Sequence, residues 1–210
     1  MQFVTISRMY GSAGSDVAER VATALGWSLF DNAVVDAVAE RSGLTRAEVT
    51  AQDERVPSMV ERLASALTLS TTAEMMTPVS SAVVETTEER IVTVTKLVIE
   101  EAVASGPAVF VGRGAQCLLA ERTDALHVFC YAQRTTLVAN AIKRHGVPPA
   151  DAERVVVEMN KQREQYVKRH WSRNWLSFEN YHLCVNTGWL GVDGAADLVV
   201  AAARQRLVGQ

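Results

Sequence analysis

The chain has 210 residues, 48% of them apolar by type, and a formal net charge of −3 at pH 7. This length and composition allow one large domain with a sizeable core, and the slightly acidic balance gives no electrostatic case for binding nucleic acid. We expect a cytoplasmic protein without signal peptide or membrane partner, because the N-terminus reads as a strand and no apolar run approaches the roughly 20 residues of a membrane helix. The three cysteines (Cys117, Cys130, Cys184) read as reduced core residues rather than zinc ligands, which agrees with that location.

The first recognisable unit is a strand, a glycine turn and the start of a helix. Residues 3–6 are mostly apolar, as in a strand buried on both faces. Gly11 and Gly14 allow tight backbone geometry with positive φ, and from residue 17 apolar positions recur at helical spacing. A glycine turn that leads into a helix N-terminus presents free backbone N–H groups and a favourable dipole to an anion, most often a phosphate.

This turn lacks the complete P-loop pattern. No lysine follows Gly14, and the next residues are Ser15 and Asp16. A carboxylate suits the helix dipole but is a poor neighbour for phosphate. The segment alone therefore leaves two interpretations open, a phosphate-binding loop and a ligand-free turn.

The rest of the chain alternates between helices and strands, which predicts a mainly parallel sheet with helices on both faces. Residues from about 51 to 90 are the least regular part, and within them the Ser-, Thr- and Met-rich run 68–81 reads either as a mobile loop over a site or as a solvated connector. In chain order, we predict a strand at 27–30, a helix through 34–39 closed by Gly43, a short helix opening at Thr45, a helix at 87–104, a strand at 108–111, a helix-like run at 115–122, a strand at 126–131, a basic helix at 135–145, a long polar helix to about 171, a strand at 181–186 and a helix at 192–207.

Charged and polar residues follow the predicted strands at their C-terminal ends, where ligands collect in parallel sheets. Arg113 stands between two glycines, which would let its guanidinium approach a ligand closely; the alternative is a surface charge in a turn. Asp31 is either a ligand contact or a helix cap. The residues at these ends are Ser7, Arg8 and the Gly11–Gly14 loop, then Asp31, Arg113, Arg134, Asn186 and Thr187.

The long polar helix carries a second set of cations. Lys161, Arg169 and Arg173 lie at steps of about four residues, so they can share one side of the helix, and Arg163 lies in the same segment. Phosphoryl transfer depends on charge stabilisation, for which clustered Arg and Lys are suited. The alternative is a solvated helix face balanced by glutamates.

Four stretches in the right order resemble the bacterial cytidylate kinase-like family, relatives of the nucleoside monophosphate kinases. They cover nearly the whole chain. They are Thr5-Ile-Ser-Arg-Met-Tyr-Gly-Ser-Ala-Gly, Phe30-Asp31, Val111-Gly-Arg-Gly-Ala, and Lys161-Gln-Arg-Glu-Gln-Tyr with Asn180-Tyr-His-Leu-Cys-Val-Asn-Thr.

The resemblance implies an α/β fold of the P-loop kinase type, three layers α/β/α with a five-stranded parallel sheet, in a single domain over 1–210. Residues 32–95 would form a helical acceptor-binding insertion and 155–175 a lid. ATP and Mg²⁺ would be used, with a small-molecule nucleotide as partner, and the chain is compatible with a homodimer. The implied site residues are Arg8, Gly11, Ser12, Ala13, Gly14 and Ser15 for donor phosphates, Asp31 and Arg113 for the acceptor, and Lys161, Arg163 and Arg169 as catalytic lid cations.

The loop departs from the family pattern in two places. The family commonly has Gly-Ser-Gly-Gly-Arg, whereas Ala13 replaces one glycine here and Ser15 stands at the basic position. No ligand set for a metal is evident beyond Ser12 or Ser15, with Asp31 acting through water. The leading function is ATP-dependent phosphoryl transfer to a CMP-like nucleoside monophosphate or related molecule, and the alternative is a catalytically silent nucleotide-binding or regulatory protein.

Overall fold

The structure is a computed structural model that describes residues 2–31, 37–41, 43–45 and 87–208. Its centre is a sheet of five strands, all parallel, in the spatial order β2-β3-β1-β4-β5. The strands are β1 (Phe3–Arg8), β2 (Ser28–Phe30), β3 (Ala108–Val111), β4 (Ala125–Tyr131) and β5 (Leu183–Asn186). This sheet confirms the predicted fold class.

Helices connect the strands and cover both faces of the sheet. Residues 37–41 are also helical, and one turn of 3₁₀ helix at Phe178–Asn180 precedes β5. The labelled helices are α1 (Gly14–Leu25), α2 (Thr87–Ser105), α3 (Ala115–Leu118), α4 (Arg134–His145), α5 (Ala152–Trp171) and α6 (Thr187–Val208). Within the described residues, no helix combines the length and apolar character that crossing a membrane requires.

The central strand β1 explains why both faces need cover. Val4 and Ile6 are fully buried against α1 and α6, while Phe3 is buried in a second cluster with α2 and α3. Alternating side chains of a strand point to opposite faces, so a run of buried residues such as 3–7 needs a helical layer on each side. Because all strands are parallel, their C-terminal ends, with Arg8 and Val111 among them, meet at one edge of the sheet.

Several predicted boundaries shift in the structure. The helix-like run at 115–122 is helical only over Ala115–Leu118. The last helix begins at Thr187, directly after β5, and is interrupted at Gly191, whose φ of 71° and ψ of 175° are not helical. Thr45 is the last described residue before a gap, so the short helix predicted to open there lies outside the described residues, as does most of the predicted insertion over 32–95. Of the helix predicted through 34–39, only 37–39 are described, and the helix there continues to 41.

The cysteines are less uniformly buried than expected. All three thiols are free, but only Cys130 is buried, whereas Cys117 is half-buried and Cys184 is exposed on the edge strand β5. Burial raises the pKa of the Cys130 thiol to about 12, so this thiol stays neutral. The expectation of three core cysteines is therefore right for Cys130 alone.

Candidate functional site

The glycine loop between β1 and α1 takes its shape from two left-handed residues. Gly11 has φ of 81° and Ala13 has φ of 57°, whereas Gly14 is the first residue of α1 and does not have positive φ. A Cβ at Gly11 would lie 2.4 Å from the carbonyl oxygen of Leu137, so only glycine fits there. The expectation for Gly14 is wrong: the strained position is Ala13, which costs roughly 1–2 kcal/mol for a residue other than glycine.

Two asparagines from the helices that follow β4 hold the loop. The Tyr10 backbone N–H donates to Oδ1 of Asn160 on α5 (2.8 Å), and Nδ2 of Asn140 on α4 donates to the Gly11 carbonyl (2.8 Å). These bonds join the loop to residues more than 100 positions away in sequence. They leave the first N–H groups of α1 without helical partners, as at any helix start.

The hydroxyl of Ser12 does not face the space in front of the loop. Ser12 is fully buried, and its Oγ donates to the Met9 carbonyl (2.8 Å). Its own carbonyl oxygen lies 2.7 Å from the Oγ1 of Thr187, which is also 3.0 Å from the Tyr131 carbonyl oxygen. Ser12 and Thr187 therefore link the loop after β1, the end of β4 and the start of α6, which disagrees with a role for the Ser12 side chain toward a phosphate or a metal.

An open pocket, called here the loop pocket, lies in front of the N-terminus of α1. Its walls include three arginines from three elements, Arg8 of β1, Arg144 of α4 and Arg163 of α5, together with Ser15 and the loop backbone. Asp16, in the first turn of α1, also lines it, and its carboxylate forms an ion pair with Arg144. The carboxylate expected to oppose phosphate is thus already neutralised by a cation.

The last turn of α4 closes one side of the loop pocket. The His145 ring stacks on Tyr10, with centroids 4.7 Å apart and an angle of 29° between the rings. Burial lowers the pKa of His145, and the neighbouring Arg144 and Arg163 add to this effect, so the imidazole is neutral at pH 7. His145 therefore contributes a packing surface rather than a charge.

A second pocket, the arginine pocket, lies beyond the ends of β1 and β3. Cations from three elements face it, Arg8, Arg113 and Arg163, and none of its described lining residues is a carboxylate. Its polar neutral groups are few, and Gln116 is occupied by a bond from Nε2 to the Asn180 carbonyl (2.9 Å). The remaining lining residues are Ser7, Gly112, Gly114, Cys117, Tyr166, Val167 and Trp175.

Arg113 stands on three consecutive left-handed residues. Gly112, Arg113 and Gly114 have φ of 67°, 55° and 71°. The Trp171 ring of α5 packs on Gly114 so closely that a Cβ there would lie 2.2 Å from Cη2 of the indole. This turn, called here the Arg113 turn, therefore has a strained, tightly packed backbone, which is frequent at ligand sites.

Arg163 joins the two pockets because its side chain lines both of them. One Nη atom donates to the Arg8 carbonyl (2.9 Å), and the guanidinium lies over the Tyr10 ring, 5.7 Å from its centroid. The neighbouring Tyr166 and Val167 are buried on the same side of α5. Helix α5 is thus docked onto the end of β1.

The other predicted lid cations lie apart from Arg163. Lys161 is exposed and lines an apolar groove with Met9 and Leu176, and Arg169 is exposed and lines none of these pockets. A helix turns by about 100° per residue, so Lys161 is some 200° away from Arg163 around α5. The prediction that Lys161, Arg163 and Arg169 act together is not supported by this placement.

The remaining residues predicted at the sheet edge have mixed positions. Asp31 is half-buried directly after β2 and does not line the arginine pocket. Arg134 is exposed and pairs with Glu153 (2.7 Å). The Oδ1 of Asn186 accepts bonds from the first turn of α6, which makes it a helix cap.

Sequence reasoning missed Arg144, Asn160 and Trp171. A weak signal existed for Arg144, since Lys143, Arg144 and His145 form a basic last turn in α4. Such a turn ordinarily serves the dipole of its own helix. Nothing in the sequence indicates that Arg144 pairs with Asp16, 128 positions earlier.

A metal site made by protein ligands is not found among the residues that the structure describes, because no three His, Cys, Asp or Glu side chains are grouped there. Asp16 is paired with Arg144, and Ser12 is turned inward. The described residues therefore do not fit a resident Mg²⁺. A magnesium ion would come with the phosphates of a nucleotide.

The chain is similar to a known protein family in sequence and to solved structures in fold. The model of the cytidylate kinase-like family matches residues 3–188. No curated protein matches the chain significantly. A solved structure of an uncharacterized protein from Eubacterium ventriosum has a TM-score of 0.69 at 18% identity, covering 97% of this chain and 99% of that one.

Two shikimate kinases are similar in fold. The enzyme from Acinetobacter baumannii, solved in complex with shikimate, has a TM-score of 0.52 at 13% identity, covering 100% of this chain and 94% of its own. The enzyme from Bacteroides thetaiotaomicron has a TM-score of 0.54 at 11% identity, covering 99% and 98%. At these identities the likeness concerns the fold, which is that of the P-loop kinases.

Proposed function

The chain belongs to the cytidylate kinase-like family, and we propose that it transfers a phosphoryl group from ATP to a nucleoside monophosphate. The observation that carries this proposal is the position of Arg163, which lines both the loop pocket and the arginine pocket. A cation between a donor-phosphate site and an acceptor site lies where charge develops during transfer. Both pockets are lined by Arg8, the last residue of β1, so they lie at the same end of the sheet.

The charges of the arginine pocket favour an acceptor that is itself a phosphate. Arg8, Arg113 and Arg163 present three guanidinium groups, which bind phosphate oxygens in pairs. A hydroxyl acceptor would need a general base, and no carboxylate is among the described lining residues. A phosphate oxygen is already ionised, so it attacks without losing a proton.

The proposed reaction balances without a protein nucleophile. A bond forms between an acceptor phosphate oxygen and the γ-phosphorus of ATP as the bond from that phosphorus to the β,γ-bridging oxygen breaks. The electron pair stays on the bridging oxygen, and the products are ADP and a nucleoside diphosphate. Arg163 and Arg113 orient the acceptor phosphate and offset the charge on the moving group.

On the donor side, the backbone of the glycine loop and the α1 N-terminus would bind the phosphates. Arg144 is close enough to contribute, because it lines the loop pocket and is held there by Asp16. Magnesium supplies charge neutralisation when it accompanies the nucleotide. The acceptor-binding role of 32–95 and the lid role of 155–175 remain part of this proposal.

A second candidate is a silent nucleotide-binding protein that keeps the fold. It is favoured by Ser15 at the basic position of the loop and by Asp16 in the first turn of α1. Such a protein would bind ATP through the loop pocket and release it unchanged.

A panel of nucleoside monophosphates with ATP and Mg²⁺ separates the two candidates. We expect formation of ADP that depends on one or a few acceptors, together with a rise in melting temperature on adding nucleotide. Stabilisation by ATP with no acceptor-dependent ADP would favour the silent protein, and absence of both effects would contradict both candidates.

A further inference from the structure

Arg8 is seated between two glycines from different turns. A Cβ at Gly14 would lie 2.5 Å from the Cβ of Arg8, and a Cβ at Gly112 would lie 1.9 Å from its Nη1. Gly14 therefore admits the base of the side chain, and Gly112 admits its guanidinium. The requirement for glycine at 14 is close packing against Arg8, since φ is not positive there.

This position between the two glycines directs the guanidinium from the C-terminal end of β1 toward the C-terminal end of β3. The side chain lines both the loop pocket and the arginine pocket, as Arg163 does. The two arginines are also joined, because Arg163 donates to the Arg8 carbonyl (2.9 Å). Two cations thus lie between the pockets, one on the rigid central strand and one on α5.

The Arg8 guanidinium has no counter-ion among the residues that the structure describes. Arg144 pairs with Asp16, Arg134 with Glu153 and Arg122 with Asp124, whereas Arg8 forms no such pair. A half-buried cation beside two further arginines is electrostatically unfavourable until an anion arrives. A purely structural arginine would be expected to bond a carboxylate or a carbonyl.

We propose that Arg8 is a catalytic residue that takes the place of the absent loop lysine, acting on the phosphoryl group in transfer from the strand before the loop. This inference rests on the proposed function. The usual lysine follows the last loop glycine, where this chain has Ser15. Arg8 supplies the equivalent charge from the other side, and Gly14 and Gly112 are its positioning residues.

The test uses a probe that spans both pockets, an adenosine and a cytidine joined through five phosphates, with ATP and CMP as separate ligands in calorimetry. Arg8→Ala should weaken the spanning probe 100-fold or more but ATP and CMP each less than 10-fold, because only the probe places phosphate between the pockets. Arg8→Lys should recover most of the loss, since a charge is retained. Arg122→Ala, an arginine before β4 at the opposite edge of the sheet, is the matched control and should bind like the parent.

A second variant tests the packing of the Arg8 guanidinium against Gly112 without removing the charge. Gly112→Ala should displace the guanidinium and weaken the probe at least 10-fold, while the combination with Arg8→Ala should add little further loss. Circular dichroism and melting temperature check that each variant folds. If Gly112→Ala fails to fold, the comparison of Arg8→Ala with Arg8→Lys still decides the matter.

The outcomes separate this inference from the proposed function. Equal binding of the probe by the parent and by Arg8→Ala would overturn the role of Arg8 and leave the kinase proposal standing. Probe binding that depends on Arg8 without any turnover by the parent would show that Arg8 binds phosphate between the pockets, but it would overturn both the catalytic role of Arg8 and the kinase proposal. A parent chain that binds neither the probe nor the nucleotides would overturn both.

Discussion

The two glycine turns at the sheet edge have similar backbones and opposite charge. The loop after β1 and the Arg113 turn after β3 both contain left-handed residues other than glycine, Ala13 and Arg113. The Arg113 turn carries its cation within itself, whereas the loop carries none between Gly11 and Ser15 and is followed by Asp16. On the proposed function, the donor phosphates would therefore depend entirely on cations from other elements, whereas the acceptor pocket has Arg113 in its own turn in addition to Arg8 and Arg163.

Because of this difference, the groups that would bind the donor phosphates are not the groups that would supply positive charge during transfer. A loop that offers only backbone N–H groups can bind phosphate, but the cations needed for transfer then come from Arg8, Arg144 and Arg163 on β1, α4 and α5. Substitutions of these residues should affect the donor side and the chemical step. Substitution of Arg113 should affect the acceptor.

The largest effect is expected from Arg163→Ala. The residue lines both pockets, so its loss should lower kcat by about 10²–10³-fold, the range for removing one electrostatic stabiliser, with much less change in ATP affinity. Steady-state kinetics and calorimetry measure the two quantities. Lys168→Ala, exposed in the last turn of the same helix, serves as the control and should behave like the parent.

The next effect concerns the Arg113 turn. Arg113→Ala should weaken the acceptor by about 1.5–3 kcal/mol, the cost of losing a charge-assisted hydrogen bond, and leave ATP affinity almost unchanged. Acceptor KM and the dissociation constant for ATP are the readouts. Equal weakening of both ligands would assign Arg113 to the donor side and remove the contrast between the turns.

A smaller effect is expected from Arg144→Ala, because its side chain is 40% exposed and already paired with Asp16. ATP should bind about 3- to 10-fold more weakly, with acceptor KM unchanged. Lys143→Ala changes the neighbouring charge on the same turn and should have no effect. A loss of acceptor binding in Arg144→Ala would show that the pockets are not separable in this way.

A further effect concerns the stability of the fold and lies away from both turns. Burial lowers the pKa of His127 from 6.5 to about 4, and the ring of His182, stacked 5.0 Å away, adds to this. The Nδ1 of His127 lies 2.7 Å from the Thr5 hydroxyl oxygen. Below pH 6.5 the unfolded chain takes up a proton that the folded chain refuses until about pH 4, so stability is lost as pH falls through this window.

The measurement is the melting temperature of the parent and of His127→Gln between pH 7.5 and 4. The parent should lose roughly 6–12 °C more than the variant by pH 4, because lowering the pKa of His127 from 6.5 to about 4 corresponds to a loss on the order of 3 kcal/mol. Parallel curves would show that carboxylates alone cause the acid loss.

The sequence was sufficient for the fold because the apolar runs of β1, β3 and β4 and the glycines that follow β1 and β3 are local signals. The same signals led to Arg113, whose flanking glycines are adjacent in sequence. Spacing along a helix does not tell which face docks, so the pattern that grouped Lys161 and Arg169 with Arg163 could not show that these two residues line neither pocket. Residues such as Arg8 and Arg144 depend on contacts between distant segments, with Gly112 and Asp16, and no local pattern encodes these.

The central claim is that the arginine pocket presents a phosphate, not a hydroxyl, to ATP bound at a loop without its own cation. Single-turnover transfer from γ-labelled ATP to CMP and to cytidine, at equal and saturating concentrations, tests it most directly. The account predicts labelled CDP from CMP and no labelled product from cytidine. Labelled CMP formed from cytidine, or no labelled product from any nucleoside monophosphate while ATP is bound, would contradict it.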